Sequence, residues 1–435
     1  MKRYRVEPGG TLAGELAVPG DKSISHRALM LGGIAEGETD VRGFLTSEDC
    51  LATLGALRAL GVAIETPEPR RVIVRGAGTA GLRGAAAPLD MGNAGTAMRL
   101  SMGLLAGRNF DSTLIGDSSL MRRPMERVAA PLRLMGARID THEGRPPVHI
   151  HGGAALKAID YQLPVASAQV KSAILLAGLA ADGRTRVTEP APTRDHSERM
   201  LAAFGVELVR NGASVAMEGG QTLRGTEVQV PGDFSSAAFF LVAGCLAAQH
   251  GIVLRNVGVN PTRTGLLELL RQMGAHVRIH PAPTPLGAEP IADIEVRAGA
   301  LQGINVPESL VPLAIDEFPV FFVAAACAEG ETLVRGALEL RVKESDRLAV
   351  MAEGLDRLGV EVDLLPDGLW IRGGGGRFSG GTIDSHGDHR IAMAFAVAAL
   401  RASAPIEILD VANVATSFPG FVETARAAGL AIAEQ

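Results

Sequence analysis

The sequence predicts an α/β protein of two globules, each built from three copies of one strand–helix unit. Three observations predict it. An amphipathic helix that ends in a hydrophobic-Gly turn and runs into a strand occurs six times. A second class of helix, almost wholly apolar behind a polar start, also occurs six times. The tetrapeptide Val18-Pro19-Gly20-Asp21 returns as Val230-Pro231-Gly232-Asp233, 212 residues later.

The amphipathic helices lie in LATLGALRALGVAIE (51–65), VAAPLRLMGARID (128–140), MLAAFGVELV (200–209), LLELLRQMGAHVRI (266–279), MAEGLDRLGVEVDL (351–364) and FVETARAAGLAIA (421–433). Gly61, Gly136, Gly205, Gly274, Gly359 and Gly429 close them, at spacings of 75, 69, 69, 85 and 70 residues. Glycine just past a helix supplies the left-handed conformation that stops it. A second strand of alternating pattern follows at 72–76, 148–152, 215–219, 294–299 and 369–374, and the chain ends before a sixth. The apolar helices are expected at 21–35, 92–107, 167–180, 233–247, 316–330 and 388–402. A helix apolar on every side belongs in a domain centre. Solenoid repeats are shorter, about 20–50 residues, so closure into two globules is expected. Strand 12–18 resembles 227–230, which places residues 1–19 with the C-terminal half. The expected domains are 20–230 and 1–19 plus 231–435, with crossings near 20 and 231 and a cleft between the halves.

Composition narrows the function. Hydrophobic residues make up 47% of the 435, aromatic residues only 4%, and the net charge is −6. That is a poor surface for phosphate backbones or stacked bases, so no nucleic-acid partner is expected. No stretch reaches the length of a membrane span, and the basic N-terminus lacks the apolar core of a secretory signal. Cys50, Cys245 and Cys327 form no metal-ligand pattern, so no metal is expected and a reducing compartment is. The expectation is a cytoplasmic monomer.

The polar helix starts carry the chemistry. Lys22, Ser23 and Arg27 open the first, and Asp21 or Ser23 is placed to cap it. Asn93, Gly95, Thr96 and Arg99 open the second, and Ser167, Gln169 and Lys171 the third. Asp233, Ser235 and Ser236, then Asp316 and Glu317, then Asp388, His389 and Arg390 open the others. The loops 120–128 and 339–348 add Arg122, Arg123, Lys343, Glu344 and Arg347. Singly, each has a plain reading: a capping carboxylate, a basic turn, or a surface charge ladder, with Lys343 and Arg347 one helical turn apart. Together, so many cations at helix N-termini of an acidic protein suit a substrate pair rich in phosphates or carboxylates. No Walker A or dinucleotide fingerprint is present, which points to proton and group transfer without a nucleotide.

The motifs PGDKSISHR (19–27), LDMGNAGTAMRL (89–100), RRP (122–124), ASAQVKSA (166–173), TRDHSERM (193–200), NPTRTG (260–265), IDEFP (315–319), RVKESDRL (341–348), HGDHRIAM (386–393) and ATSFPGF (415–421) closely resemble the 3-phosphoshikimate 1-carboxyvinyltransferases, the EPSP synthases. The resemblance spans nearly the whole chain. It implies two inside-out α/β domains of three βαβαββ repeats each. It implies transfer of the enolpyruvyl group of phosphoenolpyruvate to the 5-hydroxyl of shikimate 3-phosphate, with release of phosphate and no cofactor. By motif, Lys22, Ser23, Arg27, Ser167, Gln169, Arg194, Asp316 and Lys343 hold shikimate 3-phosphate. Lys22, Asn93, Gly95, Arg123, Gln169, Arg347 and Arg390 hold phosphoenolpyruvate. Asp316 is the expected base at the 5-hydroxyl, and Glu344 and Lys22 are the expected proton donors to the methylene carbon, with His389 as an alternative.

Ala168, Arg194 and Leu100 are similar to the subgroup known for glyphosate tolerance, although that subgroup often has Ala where Gly95 stands. Thr416 occupies a position where many members carry Lys. The related transferases acting on UDP-N-acetylglucosamine favour Lys-Asn where this chain has Lys22-Ser23, and usually carry a loop cysteine that 120–128 lacks. RNA 3′-phosphate cyclases share a related repeat, but their basic surface and nucleotide motif are missing here. A repeat-built anion-binding protein is the non-enzymatic alternative.

Overall fold

The computed structural model describes residues 2–283 and 288–435. The chain divides into two compact units, each with its own hydrophobic core. The first holds residues 20–230 with Ala288 and Glu289; the second holds the remaining described residues.

In each unit three apolar helices form the centre and three small sheets lie around them. The second unit's helices Phe234–Ala247, Phe318–Cys327 and His389–Ala398 are buried at every residue. The first unit's are Lys22–Ile34, Gly95–Leu105 and Ala168–Gly178. Small residues let these helices approach closely: a Cβ at Gly103 would lie 2.1 Å from the Ala173 carbonyl oxygen. Burying an all-apolar helix removes its whole circumference from water, where a surface helix would bury one stripe.

The sheets repeat one plan, in which a short strand pairs in parallel with the strand after the central helix and a hairpin continues the sheet antiparallel. In the first unit the orders are Glu227–Gln229, Glu36–Arg42, Arg71–Ala77, Ala63–Glu68; Leu89–Asp90, Ser112–Ile115, Arg145–His151, Arg138–His142; and Asp160–Gln162, Arg184–Thr188, Ser214–Glu218, Val209–Asn211. In the second unit, Gly14–Ala17, Ile252–Gly258, Ile291–Arg297 and His276–Pro281 follow the same plan. In the next sheet, Glu329–Val334, Gly368–Gly374 and Glu361–Leu365 pair, and the short strand is reduced to bridges from Gln302 and Asn305. The sixth sheet supplies what the sequence leaves out. Arg3–Val6 takes the place of the missing hairpin strand, with Val6 opposite both Ile406 and Ile432.

The six helix-closing glycines all have φ between +85° and +112°, where a side chain would be strained. The repeated Val-Pro-Gly-Asp has one job in both places. Asp21 accepts from the Ile24 N–H at 2.9 Å and Asp233 from the Ser236 N–H at 3.0 Å, capping the first central helix of each unit. Among the described residues no helix is long and apolar enough to cross a membrane.

Two local expectations are corrected. Lys343 and Arg347 do not share a helix. Lys343 follows the 3-10 turn Leu338–Val342, and the α-helix begins at Arg347. Asp316 and Glu317 do not cap the helix they precede: it starts at Phe318, and Glu317 at the cap position makes no capping hydrogen bond.

Candidate active site

In the first unit, the start of Lys22–Ile34 places the cations Lys22 and Arg27. Lys22 Nζ lies 2.9 Å from Asp49 Oδ2. Arg27 is buried, and its guanidinium donates to the Ser23 carbonyl at 2.9 Å, to Ser197 Oγ at 2.7 Å and to Ser172 Oγ at 3.1 Å. Burial pulls its pKa down to about 10. Arg194, in the segment leading into His196–Ala203, is close enough for its charge to add to that lowering.

The second central helix presents Gly95, and its cap residue Ala94 has no side-chain cap bond. Arg123 reaches this turn from the loop after Leu120–Arg122. It donates to Asn93 Oδ1 at 2.7 Å and to the Asn93 carbonyl at 3.3 Å, while Asn93 Nδ2 donates to Asp117 at 2.7 Å. A Cβ at Gly95 would sit 3.1 Å from Arg123 Nη1 and 3.2 Å from Arg99 Nη1. The absent side chain thus lets two guanidinium groups lie close beside a helix N-terminus, an arrangement suited to an anion.

The third central helix brings Gln169 to the same group. Arg99 donates to its Oε1 at 2.7 Å, and its Nε2 donates to Thr96 Oγ1 at 3.0 Å. Ser167 caps this helix at the Val170 N–H. Lys171 is turned inward, 2.8 Å from Glu198 and 2.9 Å from Glu189. It ties this helix to the helix carrying Ser197 and Glu198.

The second unit gathers the other residues. Asp316 Oδ1 lies 3.4 Å from Arg347 Nη1 and 3.6 Å from Lys343 Nζ, and its Oδ2 lies 4.0 Å from Arg390 Nη2. Arg390 Nη1 donates to the Asp316 carbonyl at 3.0 Å. Arg347 also donates to Glu344 Oε2 at 2.7 Å and, through Nε, to Asp388 Oδ2 at 2.8 Å. Burial alone would lower the Arg347 pKa, but Asp388, Glu344 and Asp316 outweigh it and hold the guanidinium above its ordinary value. Asp316 is therefore a carboxylate facing three cations, and Glu344 shares one of them. Thr416 offers no substitute for a lysine, since its hydroxyl donates to the Asn413 carbonyl at 2.7 Å and is buried.

In the first unit Asn93, Gly95, Arg123, Arg99 and Gln169 lie together, and in the second Asp316 meets Lys343, Arg347 and Arg390. Asp49, Ser172 and Ser197 also join the first unit's cations. They are common helix residues with no local signal, and only the fold brings them to Lys22 and Arg27. Asp388 was visible in the Asp-His-Arg run, but its role as the partner of Arg347, 41 residues away, was not.

The family model described as EPSP synthase (3-phosphoshikimate 1-carboxyvinyltransferase) matches residues 6–425. A protein named 3-phosphoshikimate 1-carboxyvinyltransferase from Methylococcus capsulatus is 60% identical over 430 residues, covering 99% of this chain and 98% of its own. The protein of the same name from Alkalilimnicola ehrlichii is 61% identical over 430 residues, covering 99% and 96%. Among solved structures, an EPSP synthase from Acinetobacter baumannii superposes with a TM-score of 0.89 at 53% identity, over the whole of both chains.

Proposed function

The chain belongs to the EPSP synthase family, and we infer from this that it transfers the enolpyruvyl group of phosphoenolpyruvate to the 5-hydroxyl of shikimate 3-phosphate, releasing phosphate. It is a biosynthetic transferase of the shikimate pathway, which leads to chorismate and the aromatic amino acids.

The observation that carries the chemical reading is Asp316, a buried carboxylate beside Lys343, Arg347 and Arg390. A base that must ionise next to anionic substrates needs cations close by. Asp316 takes the proton of the 5-hydroxyl as its oxygen attacks C2 of phosphoenolpyruvate. Glu344 or Lys22 delivers a proton to C3, the methylene carbon. The tetrahedral intermediate then loses phosphate and one C3 proton, restoring the double bond as an enol ether. Arg123, Arg347 and Arg390 neutralise the phosphate and carboxylate of phosphoenolpyruvate, with Asn93, Gly95 and Gln169 shaping that pocket. Lys22, Ser23, Arg27, Ser167, Gln169, Arg194 and Lys343 hold shikimate 3-phosphate. The protein acts as a cytoplasmic monomer on these two small molecules, with neither nucleic acid nor membrane as partner; the net charge of −6 and 4% aromatic content support the first of those exclusions.

Phosphate release is the test. It is expected only when both substrates are present. Release from either substrate alone, or none from the pair, contradicts the reading.

A further inference from the structure

Arg27 is a buried cation whose hydrogen bonds all go to neutral groups, while Asp21, Glu198 and Glu289 act on it as neighbouring charges. Arginine has five N–H donors. Nε donates to Ser197 Oγ, one Nη2 hydrogen to Ser172 Oγ and one Nη1 hydrogen to the Ser23 carbonyl. Among the described residues no carboxylate takes any of them. One hydrogen therefore remains on each terminal nitrogen. A desolvated guanidinium with no carboxylate in hydrogen-bond contact is costly to keep, and it gains when an anion accepts from its remaining N–H groups.

We propose that Ser197 and Ser172 are positioning residues for the acceptor substrate, fixing the plane of Arg27 without neutralising it. The two hydroxyls are coupled, since Ser197 Oγ donates to Ser172 Oγ at 2.7 Å while accepting from Arg27 at 2.7 Å. Both are buried, and they come from different helices, Ala168–Gly178 and His196–Ala203. A carboxylate in either place would satisfy the same N–H groups but cancel the charge. The hydroxyls set direction and leave the charge for the substrate. The inference rests on the enolpyruvyl-transfer reading above.

The test is steady-state kinetics of the full-length enzyme with each substrate varied in turn, for wild type, Ser197→Ala, Ser197→Thr and Ser172→Ala. Losing one hydrogen bond to a charged group predicts a KM for shikimate 3-phosphate raised roughly ten-fold in Ser197→Ala and in Ser172→Ala. The KM for phosphoenolpyruvate stays within about two-fold, and Ser197→Thr, which keeps the hydroxyl, returns the acceptor KM towards wild type. An unchanged acceptor KM in both alanine variants overturns the proposal. So does an equal rise for both substrates that threonine does not reverse. Should Ser197→Ala not fold, Ser172→Ala decides alone. A wild type that releases no phosphate from the pair overturns the transfer reading, and this inference with it.

Discussion

Asp388 accepts the Nε hydrogen of Arg347 at 2.8 Å, and both side chains are buried. Asp388 also caps the helix His389–Ala398 by accepting from the Arg390 N–H at 2.9 Å. One carboxylate thus holds Arg347 by its guanidinium and Arg390 by its backbone N–H. Asp388→Asn keeps the size and capping ability but removes the charge. It is expected to destabilise the protein by about 3 kcal/mol, the scale for breaking a buried pair, and to raise the KM for phosphoenolpyruvate. Denaturant midpoints and kinetics check both; unchanged stability would show that the pair is not held as described.

Gly95→Ala places a methyl group 3.1 Å from Arg123 and 3.2 Å from Arg99. The guanidinium groups must shift by a few tenths of an ångström, at a cost of about 1–3 kcal/mol. Weaker phosphoenolpyruvate binding is expected, and weaker inhibition by glyphosate than in wild type. Equal inhibition of the two enzymes would refute a steric role for this position.

His26 is fully buried against Thr53, and burial, with Lys22 and Arg27 nearby, pushes its pKa down to about 3. It is neutral in the folded protein at every physiological pH. The unfolded chain, with an ordinary histidine pKa near 6.5, takes up a proton that the folded one refuses. Stability from this residue is therefore full above pH 6.5 and falls as pH drops towards 3. About 2 kcal/mol should be lost between pH 7 and pH 5. In His26→Gln that part of the acid slope should disappear; an identical slope would assign it elsewhere.

All three cysteines are free and buried, and burial raises every thiol pKa, to about 12 for Cys245 and Cys327. No thiol should react with a disulfide reagent at pH 8 in the native protein, and all three should react once it is unfolded. Rapid native labelling would contradict that burial.

Much of the α/β plan could be read from the sequence, because it rests on local signals. Gly61, Gly136, Gly205, Gly274, Gly359 and Gly429 mark helix ends through their own conformation, and the apolar helices declare their burial by having no polar face. What stayed hidden is non-local. Nothing in Arg3–Val6 says that it lies between strands some 400 residues away, since pairing partners leave no mark on a four-residue strand. The same limit applies around the site. Lys22, Arg27, Asp316, Arg347 and Arg390 stand out as charges at helix starts or in short motifs. Ser172, Ser197 and Asp49 look like ordinary helix residues until the chain is folded.

The central claim is that Asp316 serves as the base in an enolpyruvyl transfer, and Asp316→Asn tests it most directly. Asparagine keeps the shape beside Lys343, Arg347 and Arg390 but cannot accept the hydroxyl proton. Shikimate 3-phosphate should still bind, and phosphate release in the presence of both substrates should fall by roughly 10²–10⁴-fold, the usual contribution of a general base. A variant that binds both substrates and releases phosphate at a near-normal kcat would contradict the account.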